Sequence, residues 1–230
     1  MALRKVCSIL LFCTIAAYAR PSEQLTEAEF TNLKFTVEKL DQILKAYAPY
    51  KEYFPSYAWE KVEQITDEQK TQIVQMVNDY HAGQFEPKNF QELIAVIKDK
   101  YPALTEAYQD VYDKYQAQVA TLGPKAQEFS KNMEAQMYAD ASPDRIIWTC
   151  NMFNHAQSNV KAMDALMKDD SEAPQIEAAF PEAVKFMKSK EWDAYVIIVN
   201  NLKPLNCTKD RDQVFNTLKL FDMKKVITTN

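Results

Sequence analysis

Histidine and cysteine are the residue types in this chain that could best bind a metal or serve as nucleophile and base. The chain contains two histidines, His81 and His155, and four cysteines. No His-x-x-x-His or Cys-x-x-Cys spacing occurs, so a zinc site would need ligands from remote parts of the chain. Cys150 and His155 are five residues apart, which is about 140° around a helix, so the thiol and the imidazole would not face each other.

Enzyme motifs built on glycine are missing as well, because the chain has no glycine-rich phosphate loop and no Gly-x-Ser-x-Gly elbow. His81 lies near the end of a predicted helix and is expected to be solvated there, where the helix dipole favours its charged form. We therefore predict that the protein is not an enzyme and needs no cofactor or metal. A hydrolase on an unfamiliar helical scaffold is the alternative, but the sequence indicates neither its nucleophile nor its base.

The first 19 residues have the pattern of a secretory signal peptide. Arg4 and Lys5 supply positive charge, residues 6–17 form an apolar run too short to span a bilayer, and a small-x-small cleavage site ends at Ala19. We expect a secreted mature protein that begins at Arg20, and a retained membrane anchor is the alternative. The formal net charge of −5 disfavours nucleic acid and anionic membrane surfaces as partners, because both reward basic patches.

Cleavage of that segment would leave Cys150 and Cys207 as the cysteines of the mature chain. In an oxidising compartment we expect a disulfide between them, and closing a loop of about 57 residues would stabilise the fold by roughly 4 kcal/mol. Two buried or separately reactive thiols are the alternative, because the sequence does not show whether the two Cα atoms lie close together. The Asn206-Cys207-Thr208 sequon is not expected to carry a glycan, because its cysteine would be engaged in the bridge.

Periodic apolar residues and scarce glycine predict an all-α fold. The chain has two glycines, and no paired alternating segments flank an Asn-Gly or Asp-Gly turn, so a sheet is not expected. Thr26, Thr66 and Asn89 have the spacing of helix caps, and the helix that Thr26 starts is expected to run for about 20 residues. We predict a compact bundle of short amphipathic helices, each of which must pack on its neighbours.

The chain is expected to divide at the polar stretch 140–144. Residues 20–139 would form the first helical region, and residues 140–230 a helical C-terminal extension, with packing on the same core left open. Ser142 as cap and Pro143 at the first helical position are expected to begin the extension. Within it, residues 168–172 are predicted to be a polar loop, and residues 195–199 are assigned to a helix although their composition suits a strand.

The stretch from Lys98 to Phe129 organises the rest of the chain. An apolar stripe recurs there at three- and four-residue steps and predicts a helix of about five turns. Pro102 limits its start, Gly123 is expected to end it in the left-handed conformation, and Pro124 suits the first turn of the next helix. The stripe consists of Leu104, Tyr108, Val111, Tyr115, Val119 and Leu122.

Several short motifs follow one another within residues 51–138. They are Tyr53-Phe54-Pro55, Ile65-Thr66-Asp67-Glu68-Gln69-Lys70, Ile94, Lys98-Asp99-Lys100-Tyr101-Pro102 and Leu122-Gly123-Pro124-Lys125-Ala126-Gln127-Glu128-Phe129. In this order they resemble the nematode fatty acid- and retinol-binding proteins, whose expected end lies before residues 140–230. The resemblance implies an all-α carrier with an apolar ligand cavity, no covalent chemistry, and ligand loading by the spreading of helices. It carries over no invariant ligand-binding motif.

The resemblance also implies that some inward stripes line a pocket, whereas twelve Phe, twelve Tyr and nine Met alone would more readily be assigned to plain core. A fatty-acid carboxylate would want a cation at the cavity mouth. Lys98, Lys100 and Lys114 are candidates, although each is equally explained as a solvated charge. Retinol would need only the apolar wall and a hydroxyl partner such as a tyrosine. The predicted lipid-binding residues are Ile73, Val77, Leu93, Val96, Ile97, Leu104, Val111, Phe129 and Met133.

Two functions are therefore carried forward. The leading hypothesis is a secreted, non-enzymatic carrier of fatty acids and retinoids, with transient membrane contact during ligand transfer. The alternative is a secreted, antigen-like helical interaction protein whose stripes are fully packed core and whose function lies on its acidic surface. The sequence indicates neither the preferred lipid nor the oligomeric state.

Overall fold

The computed structural model describes the backbone of residues 26–220 and the side chains of residues 26–217. Residues 26–220 contain helices and no strand, which confirms the all-α prediction. The expected signal peptide lies outside the described residues. Two 3-10 helices span Ala48–Tyr53 and Pro102–Leu104. The α-helices are α1 (Glu27–Thr31), α2 (Val37–Tyr47), α3 (Ser56–Glu63), α4 (Asp67–His81), α5 (Phe90–Lys100), α6 (Thr105–Ala120), α7 (Pro124–Asp140), α8 (Arg145–Met167), α9 (Ala173–Ala179), α10 (Pro181–Met187), α11 (Lys190–Asn201) and α12 (Arg211–Leu220).

Side-chain caps begin several of these helices where the sequence predicted them. Thr26 and Thr66 each accept a hydrogen bond from the amide three residues on, and the side chains of Glu29 and Gln69 return the bond. Asn89 caps α5 in the same way through its side-chain oxygen. These caps satisfy amides that have no partner inside the helix, so they fix where each helix starts.

The first predicted helix is shorter than expected, because the chain leaves the helix after Thr31 and re-enters it at Val37. Thr36 caps the second segment by accepting a hydrogen bond from the amide of Lys39. Between the two helices, the backbone of Phe35 pairs with the side-chain amide of Asn78, at 2.9 and 3.0 Å. That pairing comes from 43 residues away and holds the connection in an extended form.

The start of α8 also differs from the prediction. Asp144, not Ser142, is the N-cap, and its carboxylate accepts hydrogen bonds from the amides of Ile146 and Ile147. Ser142 supports the cap, because its hydroxyl oxygen accepts a hydrogen bond from the amide of Asp144. A carboxylate at this position also complements the positive end of the helix dipole.

Gly123 does not adopt the left-handed conformation that the sequence predicted. Its φ of −66° and ψ of 163° are extended, and it precedes Pro124 at the start of α7. Glycine is required there because the carboxylate of Glu172 lies against its Cα, so a Cβ would stand 2.5 Å from Oε2. Glu172 was expected in a polar loop, yet it is buried and accepts hydrogen bonds from the amides of Lys125 and Ala126.

Two large apolar clusters hold most of the helices together, and two smaller ones add to them. The larger one joins residues near the N-terminus, such as Phe30, to Ile97 at the centre and to Val214 on α12. The second one packs Val111 and Leu122 against α9 and α10. The C-terminal residues thus share the main core, while the proposed division at residue 140 stays a prediction. Within residues 26–220, no helix combines the length and apolar character needed to span a bilayer.

Candidate functional site

A hollow lies between α4, α5, α6 and α7 and is bordered by the first turns of α8. Its cavity volume is about 100 Å³. Most of its wall is hydrocarbon, and the side chains with polar atoms are tyrosines, one histidine, one glutamate and one tryptophan. The apolar lining residues are Met76, Val77, Phe85, Pro87, Phe90, Leu93, Met137 and Ala141, and those with a polar group are Tyr80, His81, Tyr108, Tyr112, Tyr115, Glu134, Tyr138 and Trp148.

Aromatic rings form two sides of this hollow. On one side, the Tyr80 ring packs edge-on against Trp148, with their ring centroids 5.3 Å apart. On the other, Phe90 and Tyr112 stack in parallel, with centroids 3.5 Å apart. The first pair joins α4 to α8 and the second joins α5 to α6, so the wall depends on the packing of four helices.

Two of the nine predicted lipid-binding residues line this hollow, Val77 on α4 and Leu93 on α5. The other seven do not line it. Ile73, Ile97 and Leu104 are buried in the larger apolar cluster, and Val96 packs against that cluster. In the second cluster lie Val111 and, packed against it, Phe129, while Met133 is half-buried on α7.

None of the aromatic residues that line the hollow was among the predicted lipid-binding residues. Tyr108 and Tyr112 are four residues apart on α6 and so share a face, which was a usable signal. Trp148 gave none, because it lies beyond the expected boundary and reaches the hollow only through the tertiary packing of α8.

His81 is half-buried and uncharged at neutral pH, in contrast to the solvated cation expected from its place at the end of α4. Burial is the main cause that lowers its pKa to about 4, and the nearby charge of Arg145 adds to the effect. Its Nδ1 lies 2.8 Å from the carbonyl oxygen of Pro143. Because a carbonyl can only accept, Nδ1 carries the proton and Nε2 is left as an acceptor.

Glu134 and Tyr112 form a hydrogen-bonded pair of polar side chains in the wall. The Tyr112 hydroxyl donates to Oε1 of Glu134 at 3.3 Å. Burial, followed by the negative charge of Glu134, raises the pKa of Tyr112, so the hydroxyl stays protonated and keeps this bond. The hollow therefore contains a carboxylate on α7 that accepts a hydrogen bond from a tyrosine on the neighbouring helix α6.

The three lysines considered as carboxylate anchors do not line the hollow. Lys98 and Lys100 are exposed at the end of α5, and Lys114 is exposed on α6 with its Nζ 3.1 Å from Oδ2 of Asp110. Their positions suit the solvated charges that were the alternative interpretation.

The remaining chemical groups take structural partners. The Sγ atoms of Cys150 and Cys207 lie at disulfide distance, as the sequence predicted for this pair. His155, which is exposed, lies 2.9 Å from a carboxylate oxygen of Asp140. Over the described part of the chain, no group of three histidine, cysteine or acidic side chains is arranged to hold a metal ion.

Over the described residues the chain is therefore an all-α protein with an apolar, aromatic-walled hollow between its helices. A family model described as nematode fatty acid retinoid binding protein (Gp-FAR-1) matches residues 48–197, and the chain belongs to this family. No curated protein and no solved structure matched the chain. The match contains every residue that lines the hollow, and it extends well beyond residue 140, where the resemblance was expected to end.

Proposed function

We propose that the protein is a secreted carrier that binds fatty acids and retinol in the hollow between α4, α5, α6 and α7 and catalyses no reaction. The observation that carries the proposal is the position of this apolar hollow inside the residues matched by a fatty acid and retinoid binding family. The wall suits such ligands, because aromatic and methionine side chains adapt to hydrocarbon chains of different shape.

Burial of the ligand's hydrocarbon supplies the driving force. Each methylene group removed from water contributes about 0.8 kcal/mol, so a long acyl chain gains on the order of 10 kcal/mol before the entropy of association is subtracted. This force has no direction. It favours tight binding of many apolar chains and little discrimination by chain shape.

The helices around the hollow must separate to admit such a ligand. Ligand pockets commonly enclose about 300–1,000 Å³, whereas this hollow has a volume of about 100 Å³. The short helices that surround it pack through side chains and can part locally at a modest free-energy cost. Binding by separation of α5 and α6 from α4 and α7 is therefore part of the proposal.

The test is a fluorescence titration of the protein with retinol and with a fluorescent fatty-acid analogue, followed by displacement with oleate. We expect saturable enhancement and a blue shift that oleate reverses. The matched variants are Leu93→Phe and Val96→Phe, which add a ring to half-buried positions on α5. Only Leu93 lines the hollow, so Leu93→Phe is expected to weaken binding at least about tenfold, which corresponds to about 1.4 kcal/mol.

Val96→Phe is expected to leave the affinity nearly unchanged, because Val96 does not line the hollow. Absence of any enhancement with folded wild-type protein would contradict the carrier function and favour the interaction-protein alternative. Equal losses in both variants would mean that the ligand binds elsewhere. Secretion has its own test, which is mass spectrometry of the N-terminus after expression in eukaryotic cells, where Arg20 is the expected first residue.

A further inference from the structure

The charged groups that line the hollow affect whether a lipid with a charged or a neutral end group binds there more tightly. Among the residues that the structure describes, those that line the hollow include no lysine and no arginine. Their histidine, His81, is uncharged at neutral pH because burial lowers its pKa to about 4. Within residues 26–217 the wall therefore has no cation to stabilise a buried carboxylate, and an ionised group moved from water into an apolar site is costly unless it is paired.

Glu134 adds a negative charge to the wall, which makes the hollow unfavourable to a second anion. Its carboxylate lines the hollow and holds the hydroxyl of Tyr112 as a donor at 3.3 Å. A second carboxylate brought into this apolar space would be repelled, because charges interact more strongly where water is excluded. Helix α7, which carries Glu134, contributes no basic residue to the lining.

The same groups favour a neutral ligand that can donate a hydrogen bond. A carboxylate accepts several hydrogen bonds, so Glu134 can accept from a ligand hydroxyl in addition to Tyr112. His81 offers a further acceptor, because its Nδ1–H is directed at the carbonyl of Pro143 and Nε2 keeps its lone pair. A terminal alcohol supplies the donor that these acceptors need, and it carries no charge to desolvate.

We propose that the hollow selects lipids with a neutral hydroxyl end over carboxylates with the same chain, and that Glu134 is the residue that sets this preference. The inference rests on the proposed function, because it concerns the ligand bound at the same site. According to this proposal, the charge of Glu134 discriminates between lipid end groups, which burial of the hydrocarbon chain cannot do.

The experiment compares two matched pairs, retinol with retinoic acid and oleyl alcohol with oleic acid, at neutral pH. Retinol fluorescence reports its own binding and its displacement by the other three lipids. The measured quantity is the ratio of the acid's Kd to the alcohol's Kd, determined for wild type, Glu134→Gln and Glu134→Lys. Comparing this ratio between proteins removes the different water solubilities of acid and alcohol. We expect it to fall at least tenfold in Glu134→Gln and further in Glu134→Lys.

Glu128→Gln is the matched control, because Glu128 is an exposed carboxylate on the same helix, outside the lining of the hollow. It should leave the ratio unchanged. A ratio that is the same in wild type and both Glu134 variants would overturn the inference while leaving the carrier function intact. An equal shift in Glu128→Gln would also overturn it, since net charge alone would then account for the preference. If folded wild-type protein binds none of the four lipids, it is the proposed function that fails.

Discussion

His81 has its charge decided by its neighbours, not by its position at a helix end. Trp148 and Tyr80 pack around the imidazole, with ring centroids 6.2 and 5.5 Å away. Arg145 disfavours a second positive charge, and the opposing influence of Asp144 is smaller. Neutral His81 can therefore form part of an apolar wall.

This neutrality predicts an acid sensitivity of the fold. The unfolded chain takes up the His81 proton near pH 6.5, whereas the folded protein takes it up only at a pKa of about 4. Between these values the unfolded state binds more protons, so the contribution is fully present above pH 6.5 and is lost as pH falls toward 4. The loss should be on the order of 3 kcal/mol. Urea unfolding of wild type and His81→Gln from pH 7 to pH 4 measures it, and the variant should show a smaller decline.

His155→Gln is the control for that experiment, because His155 is the other histidine of the chain and is exposed. It should keep the wild-type decline. A decline of equal size in wild type and His81→Gln would assign the acid sensitivity to other groups.

The two glycines of the chain serve different purposes, which a pair of substitutions can separate. Gly83 has a φ of 71°, and nothing lies within 4 Å of an added Cβ, so Gly83→Ala should cost about 1–2 kcal/mol through backbone strain alone. Gly123→Ala should cost about 1–3 kcal/mol by displacing the carboxylate of Glu172 from the start of α7. Urea unfolding measures both.

A double-mutant cycle gives the contradiction test. In a Glu172→Ala background the carboxylate is already gone, so Gly123→Ala should cost much less than it does alone, while Gly83→Ala should cost the same. Additive losses for Gly123 and Glu172 would show that the close approach is not what requires glycine.

Among the helices, the features that the sequence predicted are those set by contacts between residues close together in the chain. The caps at Thr26, Thr66 and Asn89 each involve a residue three positions away, so the sequence alone predicts them. The break between α1 and α2 depends on Asn78, and the glycine before α7 depends on Glu172, and both partners are remote in sequence. Periodicity contains no information about such partners.

Arg145 is another remote partner, and it ties α8 to the end of α1. This arginine is buried, and its guanidinium donates to the carbonyl oxygens of Phe30 and Thr31, at 3.3 and 2.7 Å. The Thr31 carbonyl lies at the end of a five-residue helix, and the Phe30 carbonyl otherwise accepts a longer hydrogen bond from the amide of Leu33, at 3.4 Å. We expect Arg145→Met to lower the free energy of unfolding by about 1.5–3 kcal/mol, because charged hydrogen bonds are lost and buried carbonyls remain.

Hydrogen exchange gives the local measurement, since the amides of Phe30 and Asn32 should exchange faster once α1 is released. Arg211→Met is the comparison, because Arg211 also contacts the α1 region, through Glu27, but is partly exposed, and it pairs in addition with the carboxylate of Asp144. Each pair of this kind typically contributes about 1 kcal/mol or less. Equal effects of the two substitutions on stability and exchange would contradict the capping role of Arg145.

At the scale of the whole molecule, the site was harder to predict than the fold. Apolar stripes predict which helix faces point inward, and the predicted lipid-binding residues are indeed buried or half-buried. Whether an inward residue packs solidly or borders a hollow depends on how neighbouring helices fit, as Val96 and Leu93 show on one helix. The sequence also could not predict that Trp148, beyond the assumed boundary, completes the wall.

The contact between Cys150 and Cys207 joins the C-terminal segment to the core of the molecule. Cys150 is buried on α8, and the bonded segment leads into α12, whose Phe215 ring lies 5.6 Å from that of Phe30. The side chain of Asn154 reinforces the junction by bonding the backbone amide and carbonyl of Leu205, each at 2.9 Å. The two ends of the described chain therefore meet in one core.

Replacing both cysteines by serine should lower the free energy of unfolding by about 2–4 kcal/mol, because the unfolded chain gains the freedom of a loop that spans 57 positions. Urea unfolding measures the loss. Adding a reductant should lower the stability of wild type to that of the variant and should leave the stability of the variant unchanged. Retinol affinity of the folded variant should stay close to that of wild type, because none of the described side chains of α12, residues 211–217, lines the hollow. A reductant that leaves wild-type stability unchanged would mean that the two sulfurs are not bonded. Loss of retinol binding in a folded variant would mean that the hollow depends on the C-terminal segment.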